Sequence, residues 1–467
     1  MWVLKGEPYE VQTVAANRAW MLPGFAYFME MGLGKTAVVL NEFISLFVKD
    51  EVRGLIVVCP MSLKQTWSNE IRNWGLSEKV EVVKWPETPK PKNKPFIWII
   101  NYEGFAVGRA KAVLAAEEVM KKYRCMFTLD ESISIKKHNG KRTINLIALS
   151  KFSPFRRILS GAPVSQGPHD LWAQLRFIGA INNFNYFAFR NKYCKMGGYR
   201  GKQIVGAKNE EALNEMLQPH SFRAKKKDWT DLPPKIHTKR MVGLSKNQEK
   251  HYLNMKKDFF TEIKGFSEEV SEIEAGMVVT QMMKLQQISS GFIINEEGEA
   301  IEIGGKIPKT EAIKELLGEI EGKLIVFAFF RHSVNKLIKD LDEFNPSWIK
   351  GQMTEEELQE QKDKFEHDNT SRVIVCQITS AKYGHTLLGN DIMRCSTVAF
   401  FEATYDYDAR IQAEDRPHRH GQDAEFVLYV DLISSEIEAA AGDALLRKDN
   451  VAKAVVDGVK NGFQEGS

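Results

Sequence analysis

Short, almost purely apolar runs recur along the chain, separated by longer stretches with apolar residues at helical spacing. A first set comprises residues 54–59 (GLIVVC), 96–100 (FIWII), 124–129 (RCMFTL) and 156–159 (RRIL). A second comprises 323–328 (KLIVFA), 372–376 (RVIVC), 397–401 (TVAFF) and 425–430 (EFVLYV). Runs of this length without polar alternation predict strands buried on both faces. Strands alternating with amphipathic helices predict doubly wound, parallel α/β sheets, one for each set.

Between the two sets the character changes. Residues 182–305 are polar and charged and read as largely helical, most clearly over 246–260 and 268–287. The basic run Arg223-Ala-Lys-Lys-Lys227 lies there, followed by Leu232-Pro-Pro234, a helix-breaking boundary signal. The expected division is a first lobe over 1–230, with a helical insertion at about 182–228. The second lobe runs over 231–467, with a helical insertion at about 245–300 before its strands. Beyond about Ile437 the tail is Ala-rich and helical, ending in a frayed segment at 462–467.

Composition narrows the classes. Of 467 residues, 43% are hydrophobic and 27% charged, with a net charge of +3, so nucleic-acid affinity has to come from local basic patches. The five cysteines are far apart, with no C-x-x-C pair, against a zinc module or disulfide framework and in keeping with a reducing cytoplasm. The first ten residues lack the basic-then-apolar pattern of a secretory signal, and no apolar run approaches the ~18 residues of a membrane span.

Two segments carry candidate chemistry. In Met31-Gly-Leu-Gly-Lys-Thr36, glycines free backbone N–H groups to turn toward phosphate oxygens ahead of a helix N-terminus. Lys35 would reach the β- and γ-phosphates and Thr36 would bind magnesium. Met29 stands where the full pattern requires glycine, so a Gly-rich turn before a helix is the competing reading. Thr128-Leu-Asp130-Glu131 ends a buried strand, where open α/β sheets place ligand-binding residues. Asp130 would hold the metal and Glu131 would orient the attacking water. In isolation, such a pair also reads as solvated loop charge.

In order, these segments resemble the superfamily 2 helicases, the Swi/Snf-like branch above all, over about residues 8–430. Pro8-Tyr-Glu-Val-Gln12 resembles the family's adenine-reading glutamine segment, which implies Gln12. Glu30-Met31-Gly32-Leu33-Gly34-Lys35-Thr36 is close to the family's phosphate loop, including the non-glycine start. Val58-Cys-Pro60 with Trp67 and Glu70 resembles motif Ia, and Asn101-Tyr102-Glu103 motif Ib. Leu159-Ser160-Gly161-Ala-Pro163 with Gln166 resembles motif III, which relays nucleotide state to the nucleic-acid track. The sequence departs from the family at Ile133, where a histidine helps couple hydrolysis to nucleic-acid contact.

The second set continues the resemblance. Residues 323–327 resemble motif IV, and Gln377-Ile-Thr-Ser380 with Gly384-His-Thr-Leu387 resembles motif V, which touches the DNA backbone. Gln412-Ala-Glu-Asp-Arg416-Pro-His-Arg419-His-Gly421-Gln422 nearly reproduces motif VI, with Gln412 beside the nucleotide. Arg416 and Arg419, three apart, would share one helix face and neutralise charge on the γ-phosphoryl group, an effect of ~10³–10⁵ in rate in well-studied cases.

The resemblance implies two RecA-like lobes, with ATP and Mg2+ bound between them, and translocation on duplex DNA. Branched or single-stranded DNA remain open as partners. Basic clusters at Lys136, Lys137, Lys141 and Arg142 and at Arg223 and Lys225–Lys227 are candidate phosphate contacts; for the second, a charged linker is an equal reading. Tyr193, Tyr199 and Phe222 read as packing residues more readily than as base-stacking ones. The rival functions are a strand-separating, annealing or branch-migrating helicase, an ATP-switched binding module, and a nuclease subunit. The compact length suggests a monomeric, cytoplasmic protein of bacterial or phage type.

Overall fold

Strands with apolar residues at every position need cover on both sides, and both sheets supply it. The computed structural model describes residues 2–91, 93–106, 111–197, 203–265, 272–295, 297–382, 387–419, 421–436 and 438–439. They divide into two units at Asp231/Leu232. Among them no helix is long and apolar enough to cross a membrane, and all five cysteines are free and buried.

The first unit contains strands β1 (Gly24–Met29), β2 (Gly54–Cys59), β3 (Glu81–Lys84), β4 (Phe96–Asn101), β5 (Cys125–Asp130) and β6 (Phe155–Leu159). The hairpin strands β7 (Cys194–Gly197) and β8 (Gln203–Ala207) and the strand β9 (Ser221–Ala224) follow. Seven strands form one sheet in the order β3-β4-β2-β5-β6-β1-β9, parallel throughout. Its helices are α1 (Glu10–Ala19), α2 (Lys35–Val48), α3 (Lys64–Asn73), α4 (Lys111–Lys122), α5 (Lys141–Ser150), α6 (Leu171–Ile178), α7 (Tyr186–Tyr193), α8 (Glu210–Leu217) and α9 (Lys226–Trp229). The period of two along each strand divides the core. Ala26, Phe28, Ile56 and Val58 face one side, and Phe25, Tyr27, Leu55 and Val57 the other.

The second unit is built alike. Its strands are β10 (Lys235–Met241), β11 (Phe292–Ile294), β12 (Ala300–Glu302), β13 (Lys323–Ala328), β14 (Ser347–Ile349), β15 (Val373–Gln377), β16 (Cys395–Phe400) and β17 (Val427–Ile433). Six form a parallel sheet in the order β10-β17-β16-β13-β15-β14, and β11 and β12 pair as a hairpin. Helices α10 (Lys246–Gly265), α11 (Glu272–Ser289), α12 (Pro308–Glu319), α13 (Arg331–Asp340), α14 (Glu355–His367) and α15 (Tyr407–Glu414) complete it. The α/β class with two parallel sheets is as the sequence predicts.

The segment 182–228 is not purely helical. It contains the β7–β8 hairpin and β9, which lies at the sheet edge beside β1. β9 is four residues long and leads into the basic run, so it lacks the apolar length that marks a strand. The tail beyond Ile437 lies almost wholly outside the described residues, as does Tyr199. Tyr193 and Phe222 are buried in the core.

One polar cluster inside the first unit stands out. Arg157 on β6 and Glu42 on α2 are both almost fully buried and form an ion pair. Arg157 Nε donates to Glu42 Oε2 at 2.9 Å, its Nη2 to the Ala19 carbonyl at 3.3 Å, and the Tyr27 hydroxyl to Glu42 at 2.9 Å. Burial first, then the Glu42 charge, pushes the Tyr27 hydroxyl well above its ordinary pKa. Breaking one side of such a pair leaves an uncompensated buried charge. Glu42→Ala is expected to cost about 3–5 kcal/mol, read as a lower denaturation midpoint. The double variant Glu42→Leu/Arg157→Met is expected to recover most of the loss.

Candidate nucleotide and coupling site

Parallel strands place their carboxyl ends on one edge of a sheet, and there β1, β5 and β6 meet. β1 runs into the turn Glu30–Leu33, and α2 starts at Lys35. Gly34 caps that helix in the left-handed region at φ 76°. A Cβ there would lie 1.9 Å from Gln12 Nε2, so only glycine lets the loop sit on this side chain. Gln12 is itself buried, and its Oε1 accepts the Tyr9 N–H at 2.9 Å. The residue expected to read adenine therefore also supports the phosphate loop from below.

Lys35 is mostly buried, and its Nζ donates to the carbonyls of Met29 at 2.8 Å and Glu30 at 3.4 Å. Leu33 points into the core, whereas Met31, Gly34 and Thr36 are partly and Gly32 fully accessible. Asp130, at the end of β5, is buried. Its Oδ2 accepts the Trp67 indole N–H at 2.8 Å, and its Oδ1 the Glu131 N–H at 3.0 Å. The Tyr102 hydroxyl donates to the Asp130 carbonyl at 2.8 Å. Desolvation raises the Asp130 pKa, and the Trp67 bond, the Lys35 charge and the Glu131 N–H oppose the rise. Glu131 takes φ 50°, a conformation that non-glycine residues adopt at a cost of about 1–3 kcal/mol. It turns the chain off the strand end.

A dry carboxylate, a threonine hydroxyl and a lysine beside a glycine turn that opens a helix are donors that would suit a magnesium–triphosphate complex. The fit rests on Asp130, whose charge is only partly offset by the protein. Among the described residues no cluster of three or more His, Cys, Asp or Glu could hold a metal by itself.

Motif III packs on the same loop. A Cβ on Gly161 would lie 3.5 Å from the Met31 nitrogen, and the Ser160 N–H donates to the Tyr27 carbonyl at 3.2 Å. Ser160 Oγ is buried without a hydrogen-bond partner. Gln166 is exposed, and its N–H donates to Asp170 at 2.7 Å. Lys136 Nζ donates to Ser165 Oγ at 2.7 Å, while Lys137 is exposed.

Other expected residues lie differently. Arg223 turns inward from β9 and donates to the carbonyls of Phe28 and Gly161, both at 3.1 Å, with Glu30 at 3.6 Å. It clamps the phosphate loop to motif III, a role that a basic run in sequence conceals. Lys225 is half-buried beside it, and the Lys226 N–H donates to Glu30 at 2.9 Å.

In the second unit, Gln412 lies on α15, but Arg416 and Arg419 lie beyond the helix, which ends at Glu414. The expected shared helix face is corrected. Pro417 lacks an N–H and disfavours helical backbone at Arg416. Arg416 is buried; Arg419 Nε donates to the Asp415 carbonyl at 3.0 Å, and burial lowers its pKa. Ser380 is buried in the turn Ile378–Lys382, and Gly384 lies outside the described residues. Gln422 serves structure, donating to the carbonyls of Cys395 at 2.8 Å and Pro417 at 2.9 Å.

The indole of Trp67 gives the site a pH signature. Its N–H stabilises ionised Asp130, so Trp67→Phe is expected to raise the Asp130 pKa further. The acid limb of the kcat/KM profile for hydrolysis should move to higher pH. The rate at neutral pH should fall roughly 10–100-fold, as when a ligand's supporting partner is removed. An unshifted acid limb would contradict this role.

Comparison with known proteins supplies the family. The model described as SNF2-related domain matches residues 24–291, and that of the helicase conserved C-terminal domain matches 308–421. The human "DNA annealing helicase and endonuclease ZRANB3" is 24% identical over 93% of this chain and 39% of its own length. The mouse "SWI/SNF-related matrix-associated actin-dependent regulator of chromatin subfamily A member 1" is 26% identical over 84% and 38%. The chain thus spans about two fifths of the length of these relatives. The solved "Sulfolobus solfataricus SWI2/SNF2 ATPase core in complex with dsDNA" is 22% identical, with a TM-score of 0.42, covering 97% of this chain and 95% of that one. With more than half of its residues matched by the first model, the chain belongs to the SNF2-related family of helicase-type ATPases.

Proposed function

We propose that this protein hydrolyses ATP, with magnesium, to drive translocation along double-stranded DNA. The observation that carries the reading is the junction of the adjacent parallel strands β1, β6 and β5, whose carboxyl ends bring the Lys35 charge to bear on Asp130 and set Gly161 of motif III against Met31 of the loop. Lys35, Thr36 and the loop N–H groups hold the phosphates, with Gln12 toward the base. Thr36 and Asp130 hold the magnesium, which supplies charge neutralisation when bound. Glu131 orients the attacking water. Arg416 and Arg419 neutralise the charge that develops on the transferred group, with Gln412 as a further nucleotide contact.

DNA as the track is supported by the names of the two relatives, one a DNA annealing helicase and one a chromatin regulator. On this chain the candidate contacts are Lys136, Lys137 and Gln166 in the first unit, and Ser380 and Gly384 in the second. Contacts to phosphates are indifferent to sequence, as a stepping motor requires. The annealing helicase also favours a second reading, in which the same motor re-pairs or migrates branched strands. Product analysis on forked and bubble DNA separates the two.

The test is ATP hydrolysis with no nucleic acid, single-stranded DNA, duplex DNA and RNA, with Lys35→Ala as background. Duplex stimulation that disappears in Lys35→Ala is expected. It should weaken with salt, and Lys136→Ala/Lys137→Ala should lower the slope of log affinity against log salt by about 0.9 for each phosphate no longer neutralised. Equal hydrolysis in all four conditions would instead support an ATP-switched binding module.

A further inference from the structure

The turn that follows Glu131 begins with two buried side chains, Ser132 and Ile133. Ile133 makes no hydrogen bond by its chemistry, so the polar link of this turn falls to Ser132. Its hydroxyl is fully buried and donates to Gln174 Oε1 at 2.7 Å. Gln174 is also fully buried, on α6 among Leu171, Ala173, Leu175 and Phe177. Its Nε2 donates to the Pro163 carbonyl at 2.8 Å and the Asp170 carbonyl at 2.9 Å. The amide thus accepts one bond and donates two.

The network continues outward. Asp170 Oδ2 accepts the Ser165 N–H at 2.8 Å, the Ser165 hydroxyl at 3.2 Å and the Gln166 N–H at 2.7 Å. Ser165 Oγ in turn accepts from Lys136 at 2.7 Å. One continuous chain of bonds therefore runs from the residue after the water-orienting carboxylate to Lys136 and Gln166, both candidate DNA contacts. A leucine would suit the apolar face of α6. A buried amide is kept there despite its desolvation cost, which its three partners offset.

We propose that Gln174 is the positioning residue that couples DNA contact to hydrolysis, by holding the turn after Glu131, at Ser132, to the motif III loop at Pro163. The inference rests on the duplex-driven ATPase proposed above. Because each bond is buried, the loop cannot shift while the turn stays: a broken bond would leave an unsatisfied group on both sides. Movement imposed on residues 163–166 by DNA therefore reaches Ser132, and through it the backbone that sets Glu131.

The experiment compares basal and duplex-stimulated ATP hydrolysis in the wild type, Gln174→Leu, Ser132→Ala and the double variant. Each single variant should keep basal hydrolysis within about threefold, yet lose at least about fivefold in the stimulation ratio, the lower end of ordinary coupling. Because both substitutions cut one link, the double variant should lose no more than the more impaired single variant. Should Gln174→Leu fail to fold, Ser132→Ala, which removes a single hydroxyl, carries the test alone. The inference is overturned by a wild-type ratio in the variants, by equal loss of basal and stimulated rates, or by losses that multiply in the double variant. A wild type with no duplex stimulation would overturn the function proposed above and this inference with it. A stimulated wild type with unaffected variants would overturn this inference alone.

Discussion

The buried pair of Arg157 and Glu42 fixes the frame on which the first unit's chemistry is mounted. Arg157 belongs to β6, the strand that delivers motif III, and Glu42 to α2, the helix that the phosphate loop opens. Tyr27 and the Ala19 carbonyl add β1 and the end of α1 to the same cluster. Four elements that each carry part of the site are thus tied at a point well below it. A charge cluster suits this task because it is directional: apolar packing would leave α2 free to slide on the sheet, whereas a forked guanidinium admits few arrangements. Gly34 on Gln12 is a close approach without slack, and such an approach needs a rigid base.

Much of this fold is legible in the sequence because the strands at the sheet centres are apolar along most of their length. β2, β4, β5 and β13 have all residues buried, and their short apolar runs suit strands covered on both faces. Edge strands give weaker signals. β9 and β10 carry polar residues on accessible positions, and β3 and β14 are too short to show a period. β1 is apolar throughout yet does not stand out as a strand, since it runs straight into the phosphate loop whose glycines dominate the local pattern. The end of α15 is hidden for a different reason. Spacing by three suggests a shared face, but the proline between Arg416 and Arg419 outweighs periodicity.

At the candidate site, the residues proposed to meet the nucleotide are legible and those that hold them are not. Lys35 and Asp130 belong to contiguous patterns. Trp67 and Tyr102 are visible only as parts of motifs, and nothing in their spacing says that both donate to Asp130. Arg223 reads as surface charge because a basic run usually is, whereas its guanidinium completes the carbonyl ends of β1 and motif III. Gln174 gives no signal at all. Asp170 is the cap of its own helix, but Ser132 and Pro163 come from two other segments, brought to it only when α6 packs beside the carboxyl ends of β5 and β6. A supporting shell is assembled by topology, and linear sequence carries little trace of it.

The way charge is distributed follows from the same packing. Acidic and basic side chains sit at the two ends of the Ser132–Gln174–Pro163 link, with Lys35 and Asp130 at one end and Lys136 and Asp170 at the other. The link itself is a hydroxyl, an amide and a carbonyl, none of which titrates at neutral pH. The imidazole of His169 stands 3.5 Å from Asp170, but burial above all lowers its pKa, which favours the neutral ring. Lys136 adds to that effect and Asp170 opposes it. A neutral conductor between charged ends transmits displacement and not protonation. Coupling of this kind depends on the fit of donors to acceptors, and it stays the same as protons come and go at the reacting carboxylates.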